Sequence, residues 1–160
     1  MSGRILLTFP KIPVSVNKLY FTRGGRRIKS SAAQKFINAF VSSRGGVSAG
    51  DLMKFSPDHE DKYALHLWFF LSPDKLYNRT YGTDGRVKSP FRDMDTSNLI
   101  KLAEDSIAKL LGMRDRNNWT VCAHKREAED QEFMVALVVP LDYSKEEYPC
   151  PKDSTTDSKH

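Results

Sequence analysis

Between residues 92 and 118 the chain reads RDMDTSNLIKLAEDSIAKLLGMRDRNN. Asp93, Asp95, Asp105 and Asp115 are gathered there around one helical run that also carries Asn98 and Lys101. Carboxylates converging in a partly buried cleft repel one another strongly unless a cation sits among them. An all-oxygen set without His or Cys points to Mg²⁺, with Mn²⁺ possible, rather than zinc. One or two such ions activate a water and stabilise the leaving oxygen of a phosphodiester. On this reading Asp93, Asp95, Asp105 and Asp115 are both metal ligands and catalytic residues. Lys101 joins them by stabilising charge on the phosphate or by orienting the water.

A helix from Asn98 must position these groups. At about 100° per residue, Leu99, Ile100, Ala103, Ile107, Leu110 and Leu111 form one apolar stripe for a core. Asn98, Lys101, Asp105 and Lys109 fall together on the opposite side, Glu104 lies apart from them, and Gly112 ends the helix. A blander reading accounts for the same face: a solvated surface with Lys101 and Asp105 as an i,i+4 pair worth a few tenths of a kcal/mol. Likewise Asp95 or Ser97 can serve as an N-cap and Asp115 as a turn residue.

The rest of the chain supplies basic surroundings. Net charge is +5, and residues 1 to 50 hold nine Lys or Arg without one Asp or Glu. Such asymmetry suits a polyanion, because neutralised phosphates release counterions. RILLTF at 4 to 9 reads as a strand, and Pro10 and Pro13 then force an extended or turning path. LYFTRGGRRIKS reads as a hairpin turning at Gly24-Gly25. A helix follows, capped by Ser30 or Ser31, with Ala33, Phe36, Ile37 and Phe40 inward and Gly45-Gly46 at its end. Residues 48 to 61 read as connecting material. KYALHLWFFLS is a long core strand stopped by Pro73. Residues 73 to 92, with five basic and two acidic side chains and Tyr77, Tyr81 and Phe91 interleaved, form a long loop that can grip a nucleic-acid strand. WTVCAHKRE and EFMVALVVP read as an antiparallel pair joined through AEDQ. The candidate DNA-binding residues are Lys18, Arg23, Arg26, Arg27, Lys29, Arg79, Arg86, Lys88 and Arg92.

These elements make one domain, residues 1 to 140, of α/β (α+β) class: a mixed β-sheet with two main helices packed on it. A flexible polar tail follows at 141 to 160. No run of the sequence has the roughly 20 apolar residues of a membrane helix, and the N-terminus lacks the pattern of a secretory signal. We therefore expect a cytoplasmic protein with no membrane partner. Cys122 and Cys150 lack zinc-site spacing and read as reduced and structural.

In order, Asp95-x-x-Asn98-x-x-Lys101-x-x-x-Asp105, then Asp115 and a strand ending in Lys125, resemble the RusA family of Holliday junction resolvases, common in phages and prophages. The early FPKIPVSVNKLY is also similar to that family's N-terminal segment, so the resemblance covers roughly residues 5 to 139. It implies a RusA-like fold and a homodimer, in a bacterial or phage-infected cell, that makes paired Mg²⁺-dependent nicks in four-way DNA junctions. It assigns Asp95 to the first essential aspartate, Lys101 to the essential lysine and Asp115 to the late aspartate. The family's Asp-x-Asp-Asn run would put a second aspartate at Ser97. Here Asp93 or Asp105 supplies that ligand, or two inserted residues separate Asp93-Met94-Asp95 from Asn98. Two other functions compete: a branched-DNA-binding protein that has lost catalysis, and a small metal-dependent nucleotide hydrolase. The broad basic N-terminal region counts against the second.

Overall fold

The most apolar run of the chain, YALHLWFFL, forms β4 (Tyr63–Leu71) at the interior of a four-stranded sheet. The computed structural model describes residues 3–15, 19–55, 62–77 and 96–141, with the backbone alone described for Arg27 and Asp115. The sheet comprises β1 (Ile5–Phe9), β6 (Phe133–Pro140), β4 and β5 (Asn118–Glu127), in the order β1-β6-β4-β5. β6 runs antiparallel to both β1 and β4, whereas β5 runs parallel to β4, so the sheet is mixed. A separate hairpin, β2 (Tyr20–Arg23) with β3 (Arg26–Lys29), joins neither edge. The helices are α1 (Ser31–Ser42), the short α2 (Ala49–Lys54) and α3 (Pro73–Leu76), and the long α4 (Ser97–Leu111).

Strand alternation places Ile5, Leu7 and Phe9, Met134, Ala136 and Val138, and Leu65, Leu67 and Phe69 on one face. That face meets the buried stripes of α1 and α4 in one apolar cluster. Phe9 anchors α1, with edge-on rings of Phe36 and Phe40 at centroid distances of 5.3 and 5.2 Å. Ser30 caps α1 by accepting a hydrogen bond from the Ala33 amide at 3.2 Å. The other face carries Thr8, His66, Trp68 and His124, with Trp68 stacked between the two imidazoles. No helix of the described residues is long and apolar enough to cross a membrane.

Three local expectations are corrected. β5 and β6 do not pair, because β4 lies between them. The residues joining them pass around the end of β4: the Ala128 amide donates to the Leu71 carbonyl, and the Ser72 amide and hydroxyl donate to Glu132 at 3.0 and 2.9 Å. Burial explains the order. β4 alternates between buried and half-buried along most of its length and needs a neighbour on each side, whereas β5 is largely exposed and suits an edge. Residues 49 to 54, read as connection, form α2, whose first turn is capped by Ser48 accepting from the Asp51 amide. α1 stops at Ser42, before the Gly45-Gly46 pair. Those glycines belong to a tight turn wedged against β1.

Candidate functional site on the α4 face

α4 is buried over more of its circumference than one stripe requires. Leu102 and Ser106 are enclosed along with Leu99, Ala103, Ile107, Ala108 and Leu111, and the Ser106 hydroxyl is satisfied by the Leu102 carbonyl at 2.7 Å. Thr96 occupies the cap position and makes no side-chain capping hydrogen bond, Ser97 is the first residue of the helix, and Asp95, the other cap candidate, lies outside the described residues. At the other end Gly112 takes φ +69°, and the Met113 amide reaches back to the Ala108 carbonyl at 3.0 Å, the closure expected of a left-handed glycine after a helix.

The polar face of α4 is covered in part by the hairpin. From β3, Lys29 places its Nζ 2.7 Å from the Asp105 carboxylate, and Lys101, one turn earlier on the helix, donates from the other side at 3.0 Å. The Asp105 side chain is only 11% exposed, against 35% for Lys29 and 40% for Lys101. Burial pushes the Asp105 carboxyl up. Hydrogen bonds from Lys29 and Lys101, together with their charges, outweigh that and hold it below its ordinary value of 3.8. The arrangement is therefore more than the solvated i,i+4 pair: a third charge from a distant element closes it.

This cluster has a stability signature with a definite sign. A carboxyl whose pKa is depressed on folding contributes stability above its unfolded value, and that contribution is lost as pH falls through the folded one. Asp105→Asn is therefore expected to be less stable than the parent in urea at pH 7. The gap should narrow as pH drops through and below 3.8. A gap independent of pH would mean that the ion cluster contributes nothing through its charge.

Of the sequence-derived candidates, Lys29, Lys101 and Asp105 are brought together. Asp93 and Asp95 lie outside the described residues, as do Lys18, Arg79, Arg86, Lys88 and Arg92. Asp115 opens a 3-10 turn, Asp115–Asn117, between α4 and β5. The buried Asn117 pins that turn, its side-chain oxygen accepting from the Arg114 amide at 3.1 Å and its own amide donating to the Arg114 carbonyl at 2.9 Å. Arg23 and Arg26 are exposed beside the hairpin turn, where Gly24 and Gly25 take φ +57° and +74°.

The chemistry of the donors distinguishes Asp105 from the other acids. Two ammonium groups already meet its charge, one at each carboxylate oxygen, which disfavours a divalent cation beside them by like-charge repulsion. Among the described residues no group of three or more His, Cys, Asp or Glu side chains is placed to hold a metal. Sequence reasoning set Lys29 among the DNA contacts and missed its bond to Asp105. The available signal was weak: strand alternation separates Lys29 from Arg26 and Ile28 but does not say what its face meets. Compared with protein-family models and with curated proteins, the chain matches none.

Proposed function

We propose that the chain is a metal-dependent, structure-selective DNA endonuclease that resolves four-way junctions by paired phosphodiester hydrolysis, acting as a homodimer in the cytoplasm of a bacterial or phage-infected cell. The observation that carries this reading is the fixed Lys101. Its ammonium is held against a nearly buried carboxylate on a helix flanked in sequence by three further aspartates, beneath a basic hairpin. A lysine so oriented can meet negative charge developing on a phosphate without first reorganising. Asp105 serves as its positioning residue, and Lys29 fixes Asp105 in turn. Metal binding then falls to Asp93, Asp95 and Asp115, and Mg²⁺ held there would supply Lewis acidity and an activated water. Two opposed nicks require two such sites, hence the dimer.

Ser97, the first residue of α4 where the RusA pattern would place an aspartate, favours one other reading: a protein that binds branched DNA without cutting it. Incubating the protein with a labelled four-way junction and with matching duplex, each in Mg²⁺ or EDTA, separates the two. The expected result is junction-selective nicking in Mg²⁺ alone, abolished in both Asp95→Asn and Asp115→Asn. Tight binding without cleavage in Mg²⁺ or Mn²⁺ would establish the binder instead.

A further inference from the structure

The β2–β3 hairpin has two different faces. Its pairs are Tyr20 with Lys29, Phe21 with Ile28, Thr22 with Arg27 and Arg23 with Arg26. Alternation therefore puts Tyr20 and Lys29 on the face that meets α4, and Phe21, Ile28, Arg23 and Arg26 on the opposite one. The hairpin is anchored at its base, where Leu19 is fully buried and its carbonyl accepts from the Ser30 amide at 2.8 Å, and on its inner face, where Lys29 is bonded to Asp105. The outer face makes no such anchoring bond among the described residues. Phe21 and Ile28, directly opposite one another, are 47% and 39% exposed.

Two features of that face run against stability. A lone two-stranded ribbon is marginal in water, and an apolar cross-strand pair on its solvent side leaves hydrophobic area unburied. Beside it, Arg23 and Arg26 are like charges in direct register, which weakens the ribbon further. Neither has a carboxylate partner among the described residues. An aromatic ring backed by an aliphatic side chain and flanked by two guanidinium groups fits one class of ligand well. That ligand is a nucleic acid with an accessible base, whose π-face the ring can cover while the guanidinium groups meet the adjoining phosphates.

We propose that the outer face of this hairpin is a base-stacking wedge for branched DNA, with Phe21 stacked on an unpaired or splayed base, Ile28 supporting the ring, and Arg23 and Arg26 gripping the flanking phosphates. The proposal rests on the DNA-endonuclease reading and extends it to the part of the junction that is recognised. Through Lys29 and Asp105, the wedge and Lys101 belong to one connected unit, so a base seated on Phe21 sets the strand's position relative to α4.

The test is binding of a four-way junction carrying 2-aminopurine at the branch point, in EDTA, by the parent, Phe21→Ala, Phe21→Tyr and Arg23→Ala/Arg26→Ala. Phe21→Ala is expected to lose about tenfold in affinity and to lose the 2-aminopurine signal, with an unchanged salt slope because no cation is removed. Phe21→Tyr keeps the ring and should behave like the parent, which also controls for folding. The double arginine variant should bind more weakly with a shallower salt slope. Unaltered affinity and signal in Phe21→Ala, alongside a parent that binds and cuts, would overturn the wedge while leaving the endonuclease standing. Conversion of a dimer to a monomer by Phe21→Ala would overturn it in favour of contact between two copies of the chain. A parent that binds no junction would overturn both.

Discussion

Exchanging Lys101 for methionine is expected to slow cleavage of a four-way junction by about a hundredfold or more, the scale of losing one preorganised charge donor at a phosphate. Junction affinity and thermal stability should change little. Methionine keeps most of the length and apolar stem of lysine, so packing along α4 survives, and Asp105 retains Lys29 as a partner. The loss should therefore appear in kcat. Asp105→Asn supplies the comparison. Its amide can still accept a hydrogen bond from Lys101 but no longer holds the ammonium by charge, so its rate should fall between those of the parent and Lys101→Met. Single-turnover cleavage in Mg²⁺ measures both. Equal rates in the parent and Lys101→Met would reduce the three-membered cluster to a brace between hairpin and helix, and would withdraw the observation on which the endonuclease reading stands.

That cluster also marks where sequence patterns stop being informative. Residues 98 to 112 announce an amphipathic helix with a glycine stop, because the 3.6-residue period and the positive φ of Gly112 are local properties. The α1 stripe of Ala33, Phe36, Ile37 and Phe40 and the turn at Gly24-Gly25 are legible for the same reason. Strand pairing is not. The few residues between β5 and β6 look like a hairpin loop, yet they span β4, and only the relative burial of three strands distant in sequence decides that order. The polar face of α4 shows the same limit. Periodicity separates Asn98, Lys101 and Asp105 from the core but cannot tell water from a neighbouring element. The element that meets this face is β3, more than 70 residues earlier in the chain. The outward apolar pair Phe21 and Ile28 was hidden differently, since alternation in a short hairpin places one apolar pair on one face without saying which face the domain covers.

Gly46 offers the largest expected effect on folding. A Cβ added there would overlap the backbone carbonyl oxygen of Thr8, the penultimate residue of β1, and its φ of +75° is one that residues with side chains rarely adopt. Neither obstacle can relax cheaply. The oxygen belongs to an edge strand fixed in register against β6, Thr8 facing Val135. The turn itself is enclosed, because a Cβ on neighbouring Gly45 would lie 3.1 Å from Leu110 and Phe40 and 3.2 Å from Leu7, side chains of α4, α1 and β1. Gly46→Ala must therefore pull the turn off β1 and loosen the place where both long helices meet the sheet. We expect a loss of about 3 kcal/mol or more, a substantial share of the roughly 5–15 kcal/mol that stabilises a domain. At Gly24 a Cβ meets nothing within 4 Å and only the left-handed strain applies, so Gly24→Ala should cost about 1–2 kcal/mol. Urea unfolding of the two variants compares them directly, with the m-value checking that each still unfolds as one unit. A larger loss at Gly24 than at Gly46 would show that this turn does not hold α1, α4 and β1 together.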